Sequence, residues 1–210
     1  MSTPAAPHIA QELIDLFAED QRVRAELAAD GSLFIGYNAR MREVHERNAA
    51  RLEDILRAHG WPGIHLAGKE GAEAAWRIAQ HAIAMPQFQR RCLKLLQAAV
   101  ARGDADAQHA AYMDDRIAYN ERRPQKYGTQ FDWNEIGDMA PWQVDDAKAV
   151  ERRRQALGMP SFAEQVARVR DQWRQSRERA PDDWHARQRD IAAWAREVGW
   201  LPRGEPSRGR

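Results

Sequence analysis

His81 and His45 are the residues of this chain best suited to proton chemistry. Imidazole is the side chain whose ordinary pKa lies closest to neutrality, so it can give and take a proton at working pH. His81 ends the run Trp76-Arg-Ile-Ala-Gln80-His81. His45 sits beside an apolar helical stripe, close to Asn48. Asp115 has the chemistry to orient an imidazole or a substrate amine. The neighbouring Arg116 offers a guanidinium fork for an anionic group. Gln80, Gln125, Tyr127, Thr129 and Gln130 add polar groups in or next to segments that look buried. Such a set either lines a pocket or forms a satisfied internal network, and residue types alone leave both open. The catalytic set expected here is His81, Asp115 and His45. Arg116, Gln80, Gln125, Tyr127, Thr129 and Gln130 are expected to hold a small, anionic molecule.

Other chemistry finds less support. The sequence has no Gly-x-Gly-x-x-Gly, Walker loop, His-Glu-x-x-His or Gly-x-Ser-x-Gly. Di-metal bundles need repeated Glu-x-x-His pairs, and the bundle helices show none. Seven histidines leave room for a mononuclear site, but no spacing demands one, so no metal ligand set is assigned and the cofactor stays open. The single cysteine, Cys92, falls on an apolar stripe and reads as a small hydrophobe.

Composition narrows the setting. The 210 residues carry 32 Lys+Arg against 31 Asp+Glu, a net charge of +1, which disfavours a general nucleic-acid binder. The basic residues are 28 Arg and 4 Lys, crowded toward the C-terminus. No window is long and apolar enough to span a membrane, and Met1 to Ala10 has no secretory pattern. A cytoplasmic protein is expected.

Helical periodicity must position these residues. Ile9, Leu13, Leu16, Phe17, Val23 and Leu27 share one helix face, although the step from Phe17 to Val23 is wide. A second helix is expected over 38–59, a third over 70–83, a fourth from Pro86 and a fifth over 106–120. Tyr127 to Trp133 alternates like a strand, and Met139 to Val144 would return. In that strand Tyr127 and Thr129 share one face, and Gly128 permits close approach by a helix or ligand. Asp145 is expected to cap a helix over 146–157. Two more helices, 161–179 and one from Pro181, are rich in Arg and carry Trp184 and Trp194. The expected fold is mainly α, a compact multi-helix domain with a small β-hairpin near 127–144. The division expected is a core over 1–158, a helical extension over 159–201 and a disordered tail over 202–210. The extension offers Trp and Arg for self-association.

The block from His59 to Gln130 resembles a bacterial domain family of unknown function. His59-Gly-Trp-Pro62, Ala75-Trp76 with Gln80-His81, Phe88-Gln89, Asp115-Arg116-Ile117 and Pro124-Gln125-Lys-Tyr127-Gly-Thr-Gln130 carry the likeness in order and spacing. So do Glu151-Arg152-Arg153 with Leu157-Gly158, and more weakly Asp20-Gln21 and Arg24. The resemblance implies a mostly helical bacterial protein and no particular reaction. It also implies departures here: many family members carry Asp at the place of His45, an acidic residue at Ile83 and Gly at Arg122. Two functions stay in play, a small-molecule enzyme working by His/Asp acid–base chemistry and a non-catalytic binding or oligomeric protein whose polar cluster is structural.

Overall fold

The apolar stripes fold into helices as their period requires. The computed structural model describes residues 4–34, 36–176 and 179–203. The fold is mainly α, with eight α-helices and one two-stranded antiparallel hairpin among the described residues. None of these helices is long and apolar enough to cross a membrane. The chain forms two compact units, Met1–Ala110 and Ala111–Arg210.

In the first unit α1 (Pro7–Ala29) buries Ile9, Leu13, Val23 and Leu27, and Asp20 on the same face. α2 (Ala39–His59) starts at Asn38, whose side chain accepts from the Arg40 and Met41 amides, a cap that satisfies orphan donors. The Asn48 side chain donates to the Leu16 carbonyl at 2.9 Å, tying α2 to α1. α3 (Ile64–His81) departs from expectation at both ends. It begins well before Glu70 because Asp104 caps it: the Ile64 amide donates to the Asp104 carbonyl and the His65 amide to its carboxylate. Gly68, with φ 68°, then kinks the helix without ending it. α3 closes at His81 rather than Ile83. There Gln89 of α4 (Pro86–Ala101), fully buried, donates from Nε2 to the Ala79 and Gln80 carbonyls. α1 and α3 meet at Gly71, where a Cβ would stand 3.0 Å from Ala10 Cα.

The division between the units falls within α5 (Ala107–Asn120). In the second unit β1 (Phe131–Trp133) pairs with β2 (Met139–Pro141) through Phe131–Pro141, Asp132–Ala140 and Trp133–Met139. The strand is shorter than the alternation suggests. Residues 127–130 form no ladder: the Tyr127 and Thr129 amides turn inward to Asp115 and the Gln130 amide to Gln125 Oε1. α6 (Ala147–Ala156) is capped by Asp146 rather than Asp145. α7 (Phe162–Gln175) opens with a Ser161–Glu164 capping box. α8 (Trp184–Val198) opens at Asp183 and closes at Gly199. Trp173, Trp184 and Trp194 are half-buried and Trp200 is buried: Trp184 donates from its indole to the Trp133 carbonyl at 2.7 Å, and Trp173 packs edge-on against Trp133. Most of the expected tail, 204–210, lies outside the described residues.

Gly128 is where the close approach is realised, and a helix makes it. Its φ is +67°, and a Cβ there would meet the Phe162 ring of α7 at 2.3 Å. Gly128→Ala therefore adds a left-handed backbone penalty to a steric clash, together about 2–4 kcal/mol. A lowered denaturation midpoint followed by near-ultraviolet circular dichroism is the expected result.

Candidate functional site

Three helices of the first unit bring three ionisable side chains to one point. Asp20 comes from α1, His45 from α2 and His81 from the last position of α3. Asp20 is buried to 1% exposure. Its Oδ2 lies 2.9 Å from His81 Nδ1 in a hydrogen bond. His45 Nε2 lies 3.1 Å from the same oxygen, inside ion-pair reach. That contact is off the line a hydrogen bond needs, and His45 Nε2 is buried with no hydrogen-bond partner. One ligand atom from each of the three residues can be chosen so that all lie within 4.8 Å of one another. The two imidazole rings are tilted, with centroids 5.2 Å apart.

Neighbours fix the orientation of each group. The Gln21 side chain donates to Asp20 Oδ1 at 2.9 Å, so the other oxygen faces the imidazoles. The Tyr37 hydroxyl sits 2.8 Å from His45 Nδ1, and its ring stacks on the imidazole at 5.8 Å. Phe17 stands 6.1 Å from the His81 ring. His45 is enclosed, with a side chain 8% exposed, whereas the His81 side chain is 22% exposed and reaches solvent.

Burial pushes the Asp20 carboxyl toward its neutral form. Close polar contact with the His45 and His81 imidazoles, and their positive charge, outweigh this and hold it well below the usual carboxylate range. Burial raises the Tyr37 hydroxyl, with the Glu46 charge adding to it, so the phenol keeps its proton. Tyr37→Phe removes one polar partner of a buried imidazole and is expected to lower stability by about 0.5–1.5 kcal/mol in chemical denaturation.

The second unit gathers the other sequence-predicted residues into a separate network. Asp115, fully buried, accepts from the Lys126 and Tyr127 amides at 2.7 and 3.1 Å and from the Thr129 amide and hydroxyl, both at 3.0 Å. Burial raises its pKa, against the pull of these donors. Gln125 Oε1 accepts the Gln130 amide, and its Nε2 donates to the Gln130 and Trp142 carbonyls. The Gln130 amide group in turn donates to Thr129 Oγ1. Arg154, fully buried, donates to the Tyr127 carbonyl at 2.7 Å and to the Pro160 carbonyl. Arg116 is half-buried on α5. This network closes the loop over 125–130 onto α5.

Of the expected site residues, His45 and His81 are thus joined in the first unit, with Gln80 buried next to His81. Asp115, Gln125, Tyr127, Thr129 and Gln130 are joined in the second. Asp20 was not expected at a site. Its signal was the wide step from Phe17 to Val23: Asp20 completes the spacing Leu16, Asp20, Val23, Leu27 and so occupies an inward position. Cys92 is fully buried, and burial pushes its thiol far up, which suits packing rather than reactivity. A groove of ≈ 520 Å³ along α1, lined by His8, Gln11, Glu12, Asp15, Leu16 and Glu19, includes none of the three clustered residues.

Comparison with known proteins gives a family and no activity. A family model described as a family of unknown function (DUF6624) matches residues 7–175. No curated protein and no solved structure matches the chain.

Proposed function

The chain belongs to the DUF6624 family, and we propose that it is a small-molecule enzyme whose acid–base group is His81 paired with Asp20. One observation carries this reading. A fully buried carboxylate places one oxygen 2.9 Å from Nδ1 of a histidine that reaches solvent. A carboxylate at Nδ1 selects the tautomer protonated there, in which Nε2 carries the lone pair that takes a proton from substrate. It also stabilises the imidazolium once that proton has moved. His45 supports Asp20 from the enclosed side, and Gln89 holds the helix end that carries His81. In this reading Asp20 takes the orienting role that residue type suggested for Asp115. The lone cysteine, Cys92, is buried, which supports a reducing, cytoplasmic setting.

For the second cluster we favour a structural role. Asp115 accepts four hydrogen bonds from a single loop, which suits a clasp better than a group waiting for substrate.

The test needs no substrate. Metal-free protein treated with diethyl pyrocarbonate at pH 8, where ordinary imidazoles are neutral, is mapped by mass spectrometry. His81 is expected to react faster than the exposed His8 and His185, and Asp20→Asn to slow it about 10-fold or more. A His81 that reacts no faster than His185 sinks the reading.

A further inference from the structure

We infer that Asp20, His45 and His81 form a binding site for a divalent first-row transition metal ion. This goes beyond the acid–base reading and is measured without any reaction. Bonds of about 2.0–2.2 Å from nitrogen and oxygen to such an ion place neighbouring ligand atoms about 2.8–3.6 Å apart, from octahedral to tetrahedral angles. Asp20 Oδ2 already stands 2.9 Å from His81 Nδ1 and 3.1 Å from His45 Nε2. One ligand atom from each of the three residues can be taken so that all lie within 4.8 Å of one another.

An ion pair alone leaves one atom unexplained. A proton shared between Asp20 and His81 accounts for that contact, but His45 Nε2, buried and 3.1 Å from the same oxygen, makes no hydrogen bond. A buried nitrogen that makes no hydrogen bond costs about 1–3 kcal/mol. An ion between the three groups uses that lone pair. The outer contacts are those a metal site needs. The Tyr37 oxygen can accept Nδ1–H of His45, which leaves Nε2 deprotonated and pointed inward. Gln21 on Oδ1 leaves Oδ2 as the ligating atom. A polar hydrogen-bonded shell of this kind fixes ligand tautomer and direction.

Donor chemistry names the class of ion. Two imidazoles and one carboxylate suit Zn²⁺, Fe²⁺, Co²⁺ or Mn²⁺, whereas Mg²⁺ and Ca²⁺ prefer all-oxygen shells. Three protein ligands leave positions open for water or a substrate oxygen, and the His81 side chain is 22% exposed. Binding displaces the proton on His81 Nδ1 to solvent, so affinity falls as pH drops.

The probe is Zn²⁺ or Co²⁺ added to the full chain after chelator treatment. One ion per chain is expected by elemental analysis, with visible d–d absorption on Co²⁺ loading. Asp20→Ala and His45→Ala are each expected to weaken Zn²⁺ binding beyond ~100-fold, and Tyr37→Phe to weaken it about 10-fold. Should either alanine variant fail to fold, Co²⁺-shifted ring protons of the wild-type protein decide: those of His45 and His81 must move. Absence of stoichiometric binding, or shifts confined to other histidines, overturns the inference. Carbethoxylation of the metal-free protein is unaffected by that outcome, so the two readings fail separately. If both hold, Zn²⁺ protects His81 from the reagent.

Discussion

Asp115→Ala is expected to lower the stability of the second unit by about 3–5 kcal/mol, the range for removing one partner of a buried charged network. The carboxylate is fully buried and accepts from the amides of Lys126, Tyr127 and Thr129 and from the Thr129 hydroxyl. Alanine leaves these donors facing a space that cannot hydrogen-bond. Relief of the burial that raises the Asp115 pKa offsets part of the loss, which is why the figure stays below the sum of four separate bonds. Asp115→Asn is expected to recover little, because its amide nitrogen meets amide donors head-on. Hydrogen exchange is the discriminating measurement: the amides of 126, 127 and 129 should lose protection first and most. Unchanged protection there would show that the loop over 125–130 is held by Gln125 and Arg154 without Asp115.

The same loop shows how far residue pattern reaches. Tyr127, Thr129 and Phe131 alternate with smaller or polar residues, the signature of a strand, and a hairpin does form. Its ladder starts only at Phe131, because a carboxylate on α5 takes the amides that a strand would pair. Local alternation cannot reveal a competing acceptor that arrives from elsewhere in the chain. α3 carries a comparable lesson. Gly68 reads as a boundary, but Asp104 caps the chain ahead of it and the helix runs through the kink. Where apolar residues recur without such long-range partners, as along α2 and α4, spacing places the elements closely. The candidate site divides in the same way. His45 and His81 announce themselves as imidazoles on apolar faces. Asp20 does not, since a carboxylate among Glu19, Gln21 and Arg22 looks solvated by default. What makes it a site residue is a contact with His81 at a sequence separation of 61. Only the packing of three helices creates that contact.

Asp20 also governs the largest pH effect expected of the first unit. Its carboxyl is held below the ordinary carboxylate range in the fold, because His45 and His81 outweigh the penalty of burial. In the unfolded chain it returns to about 3.9. The unfolded state therefore binds more protons than the native state as pH falls below neutral. Stability from this group is fully present above about pH 4–5 and is lost as pH drops toward the lower native value. Asp20→Asn removes the charge and keeps the shape. Its amide can still accept from one imidazole, but the paired positive charge loses its partner. At pH 7, in metal-free protein, the variant is expected to be less stable by about 2–4 kcal/mol, the worth of one or two charge-assisted hydrogen bonds. The gap between the two curves should narrow steadily from about pH 5 downward, as the unfolded wild-type chain takes up a proton that the native carboxylate still refuses. Tyr37 and Gln21 touch the cluster without changing charge in this window, so neither mimics the effect. Denaturation midpoints between pH 2 and 7 check it directly. A constant gap between the two proteins across that range would mean that Asp20 acts through shape and not through its charge, and both the acid–base pair and the metal site would lose the anion on which they depend.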